Sequence, residues 1–177
     1  NPKDGSIDEF DLPYEARNPH TPIVHQGKVW FTDANNNTYG RLDPATGKVD
    51  VWPVAAPKSV PYGMYAAPDG SVWIAHLGTN QLGRVNPDTG VLAAYPLPDS
   101  GARPRRLAVT SDGTVWYTDY ARGYLGALDP ATLSETTWAR FADTTDLSRP
   151  RMGGAVSYSR ADVARKVVDK LKLLREG

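Results

Sequence analysis

Apolar and polar positions alternate along this chain in short runs, rich in β-branched and aromatic residues and punctuated by Pro, Asp and Gly. Such runs predict β-strands joined by tight turns rather than helices. The runs also recur. Trp30, Trp73 and Trp116 stand 43 residues apart, within the phrases Lys28-Val-Trp-Phe-Thr-Asp33, Ser71-Val-Trp-Ile-Ala-His76 and Thr114-Val-Trp-Tyr-Thr-Asp119. Asp43-Pro-Ala-Thr-Gly47, Asn86-Pro-Asp-Thr-Gly90 and Asp129-Pro-Ala-Thr-Leu133 keep the same step, and Trp52, Tyr95 and Trp138 follow in phase.

The second copy sets out one unit. Strand A is expected over 64–67, a hairpin at Pro68-Asp69-Gly70, strand B over 71–75, strand C over 81–85, a turn at 86–90, and strand D over 91–97. Four short antiparallel strands in a period of this length make one propeller blade. Each repeated Trp is expected to pack between blades, and Asp43, Asn86 and Asp129 to hydrogen-bond the backbone of the turns they begin.

The ends depart from the unit. Residues 6–12 align with strand D, Phe10 standing where Trp52 stands, and Arg149-Pro-Arg151 opens a fourth blade as Arg103-Pro-Arg105 opens the third. Beyond it one strand is expected over 153–158 and a helix over 159–176. Ser159 is the N-cap, Val163, Val167, Val168, Leu171 and Leu174 form the apolar stripe, and the remaining face is basic. A basic amphipathic helix can meet a membrane surface or a partner groove; here the stripe is expected to cover an open blade edge. The fold class is therefore all-β, three complete four-stranded β-propeller blades plus a partial fourth, with one C-terminal α-helix: a propeller domain over 1–158 and an amphipathic helix over 159–177.

Composition narrows the partners. Lys and Arg balance Asp and Glu at 20 each, so no electrostatic case for nucleic acid exists, and cysteine is absent. No apolar run is long enough to be a transmembrane segment. The opening at Asn1 implies something upstream. Propellers close with several blades, so three completions are open: a compact four-unit structure in which residues 6–12 pair with the segment after Pro150, a longer propeller, or homo-oligomer formation through open blade edges, which is the one expected.

Ligand sites on propellers gather at the rim formed by the D-to-A and B-to-C loops, which fixes the candidate positions. The starts of strand A supply His20, Tyr62, Arg105 and Arg151; the ends of strand B supply Asp33, His76 and Asp119; the B-to-C loops add Asn35, Asn36, Asn37 and Asn80. His25 falls in the A-to-B hairpin, on the opposite face. Arg106 follows Arg105 along a strand and is expected to point elsewhere.

The repeated Val-Trp phrases, with Asn80-Gln-Leu-Gly-Arg-Val-Asn-Pro-Asp-Thr-Gly90 and Tyr95-Pro-Leu-Pro98, resemble the streptogramin B (virginiamycin B) lyase family over roughly residues 5–138. That resemblance implies a seven-bladed propeller, a periplasmic or secreted location, and Mg²⁺-dependent opening of a cyclic depsipeptide antibiotic at its ester by elimination, with His and Glu residues on one face. Family blades commonly end strand B in Glu, where this chain has Asp33, His76 and Asp119. An elimination needs a base at the acidic C–H and an electrophile at the developing oxyanion. Under the resemblance His20 or His76 would be the catalytic base and Asp33 and Asp119 would lie near the metal. Tyr62, Arg105, Arg151, Asn37 and Asn80 would bind the ligand, Arg105 steadying a carbonyl oxygen. Two further readings stay open: a propeller that binds a small-molecule or peptide ligand without chemistry, and a set of blades kept for assembly.

Overall fold

Alternating side chains and tight turns organise the chain into three antiparallel four-stranded sheets. The computed structural model describes residues 2–138, and only the backbone of 134–138. Blade one is β1 (Pro19–His25), β2 (Lys28–Asp33), β3 (Thr38–Leu42) and β4 (Val49–Pro53). Blade two is β5 (Pro61–Ala66), β6 (Val72–His76), β7 (Gln81–Val85) and β8 (Leu92–Pro96). Blade three is β9 (Pro104–Val109), β10 (Val115–Asp119), β11 (Tyr124–Asp129) and β12 (Ser134–Trp138). Strands pair in chain order within each sheet, and the first strands β1, β5 and β9 neighbour one another, as around the axis of a propeller. The expected strand C of blade two matches β7 residue for residue, while the other boundaries differ by one to three positions.

Packing between blades supplies the core. Trp30, only 1% exposed, lies with Tyr39 of blade one against Met64, Val72, Ile74 and Val85 of blade two. Trp73, equally buried, lies against Val109, Val115, Tyr117 and Leu128 of blade three. Removing an indole of this size from water contributes on the order of 5 kcal/mol before ordering costs. Blade one is also pinned to the turns of blade two. The Tyr39 hydroxyl donates to the Gly90 carbonyl at 2.7 Å, Arg41 donates to the Pro87 carbonyl at 2.6 Å, and His25 Nε2 meets the Gly70 carbonyl at 2.8 Å. Burial pushes the Tyr39 hydroxyl up to about 12, which keeps it a donor. The turns close as expected: Asp43, Asn86 and Asp129 each accept the backbone N–H two residues on, at 2.9–3.0 Å.

All three inner strands break register where they begin. The ladder shifts between Pro19 and Pro22 in β1, between Pro61 and Met64 in β5, and opposite Thr118 and Asp119 in β9. Bulges of this kind re-aim side chains.

The opening segment departs from expectation. Residues 6–12 form no strand, and Ile7 is 84% exposed. A D strand hydrogen-bonds to the C strand of its own blade, and none of the described residues supplies that strand. The expected fourth blade, the helix over 159–176 and Arg151 lie outside the described residues.

Candidate functional site

The bulged starts of β1, β5 and β9 converge on one ring. The His20 and Tyr62 rings meet at a tilt of 42° with centroids 4.0 Å apart. Arg105 Cζ lies 5.2 Å from the Tyr62 centroid and 4.7 Å from that of Tyr120, and its Nη2 donates to the Tyr62 hydroxyl at 3.2 Å. The Tyr62 hydroxyl holds the Arg105 guanidinium above its ordinary value, so it stays charged. Arg106 reaches the same ring, its Cζ 5.2 Å from the Tyr62 centroid, while its Nη1 donates to Thr21 Oγ1 at 3.2 Å. Strict alternation had sent Arg106 to the other face; the bulge in β9 corrects this by bringing two consecutive side chains to one place. His20 Nδ1 sits 2.9 Å from Thr21 Oγ1. Thr21 and Tyr120 were not picked out from the sequence; an aromatic directly after Asp119, at the head of the B-to-C loop, is the signal that could have found Tyr120.

The ends of strand B behave otherwise, because their side chains turn inward. Asp33 is fully buried. One carboxylate oxygen accepts the N–H groups of Asn35 and Asn36, at 3.1 and 2.9 Å, and the other accepts Asn18 N–H and the Asn36 amide, both at 2.8 Å. Asp119, 2% exposed, accepts the N–H groups of Arg103 at 3.1 Å and Arg122 at 3.3 Å, and Arg122 Nε at 2.6 Å. Arg122 also pairs with Asp99. Both carboxylates therefore staple the B-to-C loop to the segment that leads into strand A. A hard cation needs oxygen lone pairs aimed at a common point, and these are already committed to N–H donors. Asp33 and Asp119 do not fit a magnesium site. Among the described residues no group of three His, Cys, Asp or Glu side chains could hold a metal.

His76 occupies the same repeat position and is also fully buried. Its ring lies over Gly83, where an added Cβ would come within 2.9 Å of Nε2. In blades one and three that space above the strand C glycine is filled by Phe31 over Gly40 and by Tyr117 over Gly126. Blade two has the shorter Ile74 there, and His76 fills the remainder. Neither ring nitrogen makes a well-formed hydrogen bond. Burial pushes His76 down to about 4, the nearby Gln81 amide working weakly in the opposite direction, so the ring is neutral. It faces packing, and the mouth is beyond its reach.

Asn37 and Asn80 are spent on backbone. Asn37 donates to the Val54 and Ala56 carbonyls, both at 3.0 Å, and accepts Val60 N–H at 3.2 Å. Asn80 donates to the Leu97 carbonyl at 2.8 Å. Each ties the B-to-C loop to the end of strand D. At the other ends of the strands a polar groove of about 690 Å³, lined by Gln26, Asp69, Arg84, Asn86, Asp88 and Tyr95 among others, holds none of the candidates.

The comparisons with known proteins bear on the fold and the family. A catalytically inactive variant of virginiamycin B lyase from Staphylococcus aureus, solved with quinupristin, is 27% identical with a TM-score of 0.71, over 79% of this chain and 47% of that one. Selenomethionine-substituted virginiamycin B lyase from the same organism is 26% identical with a TM-score of 0.69, over 90% and 52%. An extracellular domain from B. thetaiotaomicron, 20% identical with a TM-score of 0.60 over 77% of this chain and 18% of that one, shares the fold. No curated protein sequence matches. The chain spans about half the length of the lyases it matches. The virginiamycin B lyase family model matches residues 2–144, and the chain belongs to that family.

Proposed function

We propose that the chain supplies part of the ligand-binding face of a virginiamycin B lyase-like propeller, with a peptide-like small molecule seated at the mouth built by His20, Tyr62 and Arg105. The convergence of three inner strands on the Tyr62 ring carries this reading. For the complete propeller the proposed reaction is elimination that opens a cyclic depsipeptide at its ester. His20 is the base: with Nδ1–H directed to Thr21 Oγ1, Nε2 keeps its lone pair for the proton next to the carbonyl group. The C–H electron pair becomes the new C=C bond, the C–O bond breaks, and the ester oxygen leaves as part of a carboxylate. Arg105 steadies the oxygen on which charge develops. His76 is withdrawn from the earlier pair of candidate bases because it is sealed in the core. No step is assigned to magnesium, since the Asp33 and Asp119 carboxylates are buried and held by N–H donors of their own loops.

Incubation with quinupristin followed by mass spectrometry tests the reading. Elimination within a ring gives a linear isomer of unchanged mass, whereas hydrolysis adds the mass of one water; His20→Ala is expected to slow the reaction ~100-fold or more. Binding of quinupristin without conversion selects the non-catalytic alternative, and no binding overturns both. Assembly through open blade edges is proposed because the chain covers about half of its structural relatives. Light scattering at micromolar concentration is expected to give twice the chain mass of 19.3 kDa, and a monomer overturns it. A periplasmic or secreted location is proposed on the family likeness alone; cell fractionation tests it.

A further inference from the structure

Among the described arginines three are ion-paired and four are not: Arg17 lies over Tyr14 and Arg103 donates to the Ser100 and Ala102 carbonyls, which leaves Arg105 and Arg106 at the mouth. Arg41, Arg84 and Arg122 each meet an aspartate, at Asp50, Asp69 and Asp119 respectively. Arg105 and Arg106 have no carboxylate partner among the described residues; their hydrogen bonds go to Tyr62 and Thr21 hydroxyls. Each guanidinium is nonetheless held at the Tyr62 ring, with Cζ 5.2 Å from its centroid, which brings two like charges to one ring at the mouth. Stacking on an aromatic face immobilises a guanidinium while leaving its N–H edge open, the geometry that suits a planar carboxylate. An anion at this place relieves the repulsion between the two cations and meets donors already ordered, so little rotamer entropy is lost on binding.

We propose that Arg105 and Arg106 form a clamp for a carboxylate carried by a peptide ligand, Tyr62 and Tyr120 serving as the shelf on which the guanidiniums are fixed. The clamp rests on the reading of the mouth as a ligand face and adds to it a charge preference. An elimination at an ester releases a carboxylate, so the same clamp holds the leaving group of the proposed reaction.

The 177-residue chain is titrated by calorimetry with N-acetylphenylalanine and, separately, with its C-terminal amide, which keeps the shape but replaces the charged carboxylate by a neutral group with N–H donors. The carboxylate is expected to bind at least ~10-fold more tightly, and Arg105→Gln and Arg106→Gln each to remove about 10-fold of that affinity. Arg84→Gln removes the same charge from the opposite rim and is expected to change neither titration; circular dichroism confirms that all three variants fold. Equal binding of amide and carboxylate overturns the clamp and leaves the ligand face standing. Binding of neither compound overturns both. Weakening by Arg84→Gln as large as that by Arg105→Gln assigns the effect to diffuse charge and overturns the clamp.

Discussion

Blades one and three close their rims with a carboxylate; blade two does so without one. The segment leading into each inner strand carries a backbone N–H just before the proline. In blade one Asn18 gives it to Asp33 at 2.8 Å, and in blade three Arg103 gives it to Asp119 at 3.1 Å. In blade two Val60 turns instead to Asn37 of the neighbouring blade, at 3.2 Å, and does so with a left-handed φ of 51°. A buried N–H must find an acceptor, and the fold supplies one from another blade when the local side chain cannot serve. The residue freed from capping, His76, becomes packing material under Ile74.

The largest test of this contrast removes a staple. Asp33→Ala strands four donors and is expected to cost about 4 kcal/mol in urea denaturation, with Asp119→Ala close behind. A loss below about 1 kcal/mol would mean that water replaces the carboxylate and that the staple is incidental. Neither Asp33→Asn nor Asp119→Asn is expected to alter Mg²⁺ binding measured by calorimetry.

The next effect is specific to blade two and depends on pH. His76 is neutral when folded, with its value pushed down to about 4 from an ordinary 6.5. The unfolded chain therefore takes up the proton first as pH falls, and stability drops from about pH 6.5 to about pH 4, by about 3 kcal/mol in all. His76→Leu is expected to remove that part of the slope; an unchanged slope would place the ring in contact with water.

A smaller effect separates the glycines of strand C. Gly40→Ala and Gly126→Ala drive a methyl group into the rings of Phe31 and Tyr117 and are expected to cost about 3 kcal/mol each. Gly83→Ala meets the His76 and Leu92 side chains at 2.9 Å, and both can give way, so about 1 kcal/mol is expected. Thermal melts showing equal losses at all three positions would erase the distinction between the blades.

Much of the fold was legible because a repeat reports phase. Phase located the blades, placed Trp30 and Trp73 between them, and put His20, Tyr62 and Arg105 at one mouth. It also put Asp33, His76 and Asp119 at strand ends, yet position along a strand says nothing about whether a side chain turns outward or folds back onto a loop. Burial of those three follows from N–H groups brought in by the preceding connection and, for His76, from the shortness of Ile74. Arg106 was misread because a bulge suspends the alternation on which the reading depended. Residues 6–12 carry the spacing of strand D, but a strand exists only beside a partner.

The same bulges give each blade an exchangeable tip. In Pro19-His20-Thr21, Pro61-Tyr62-Gly63 and Pro104-Arg105-Arg106 the middle residue falls in the break of register, outside the regular ladder. Replacing the middle residue alters what a ligand meets and leaves the hydrogen bonds of the sheet below untouched. Gly63 is the exception, for a Cβ there would strike the Arg105 backbone. Ligand preference in this fold can thus drift one blade at a time, through substitution of that middle residue, while folding is selected separately by the Trp layers beneath.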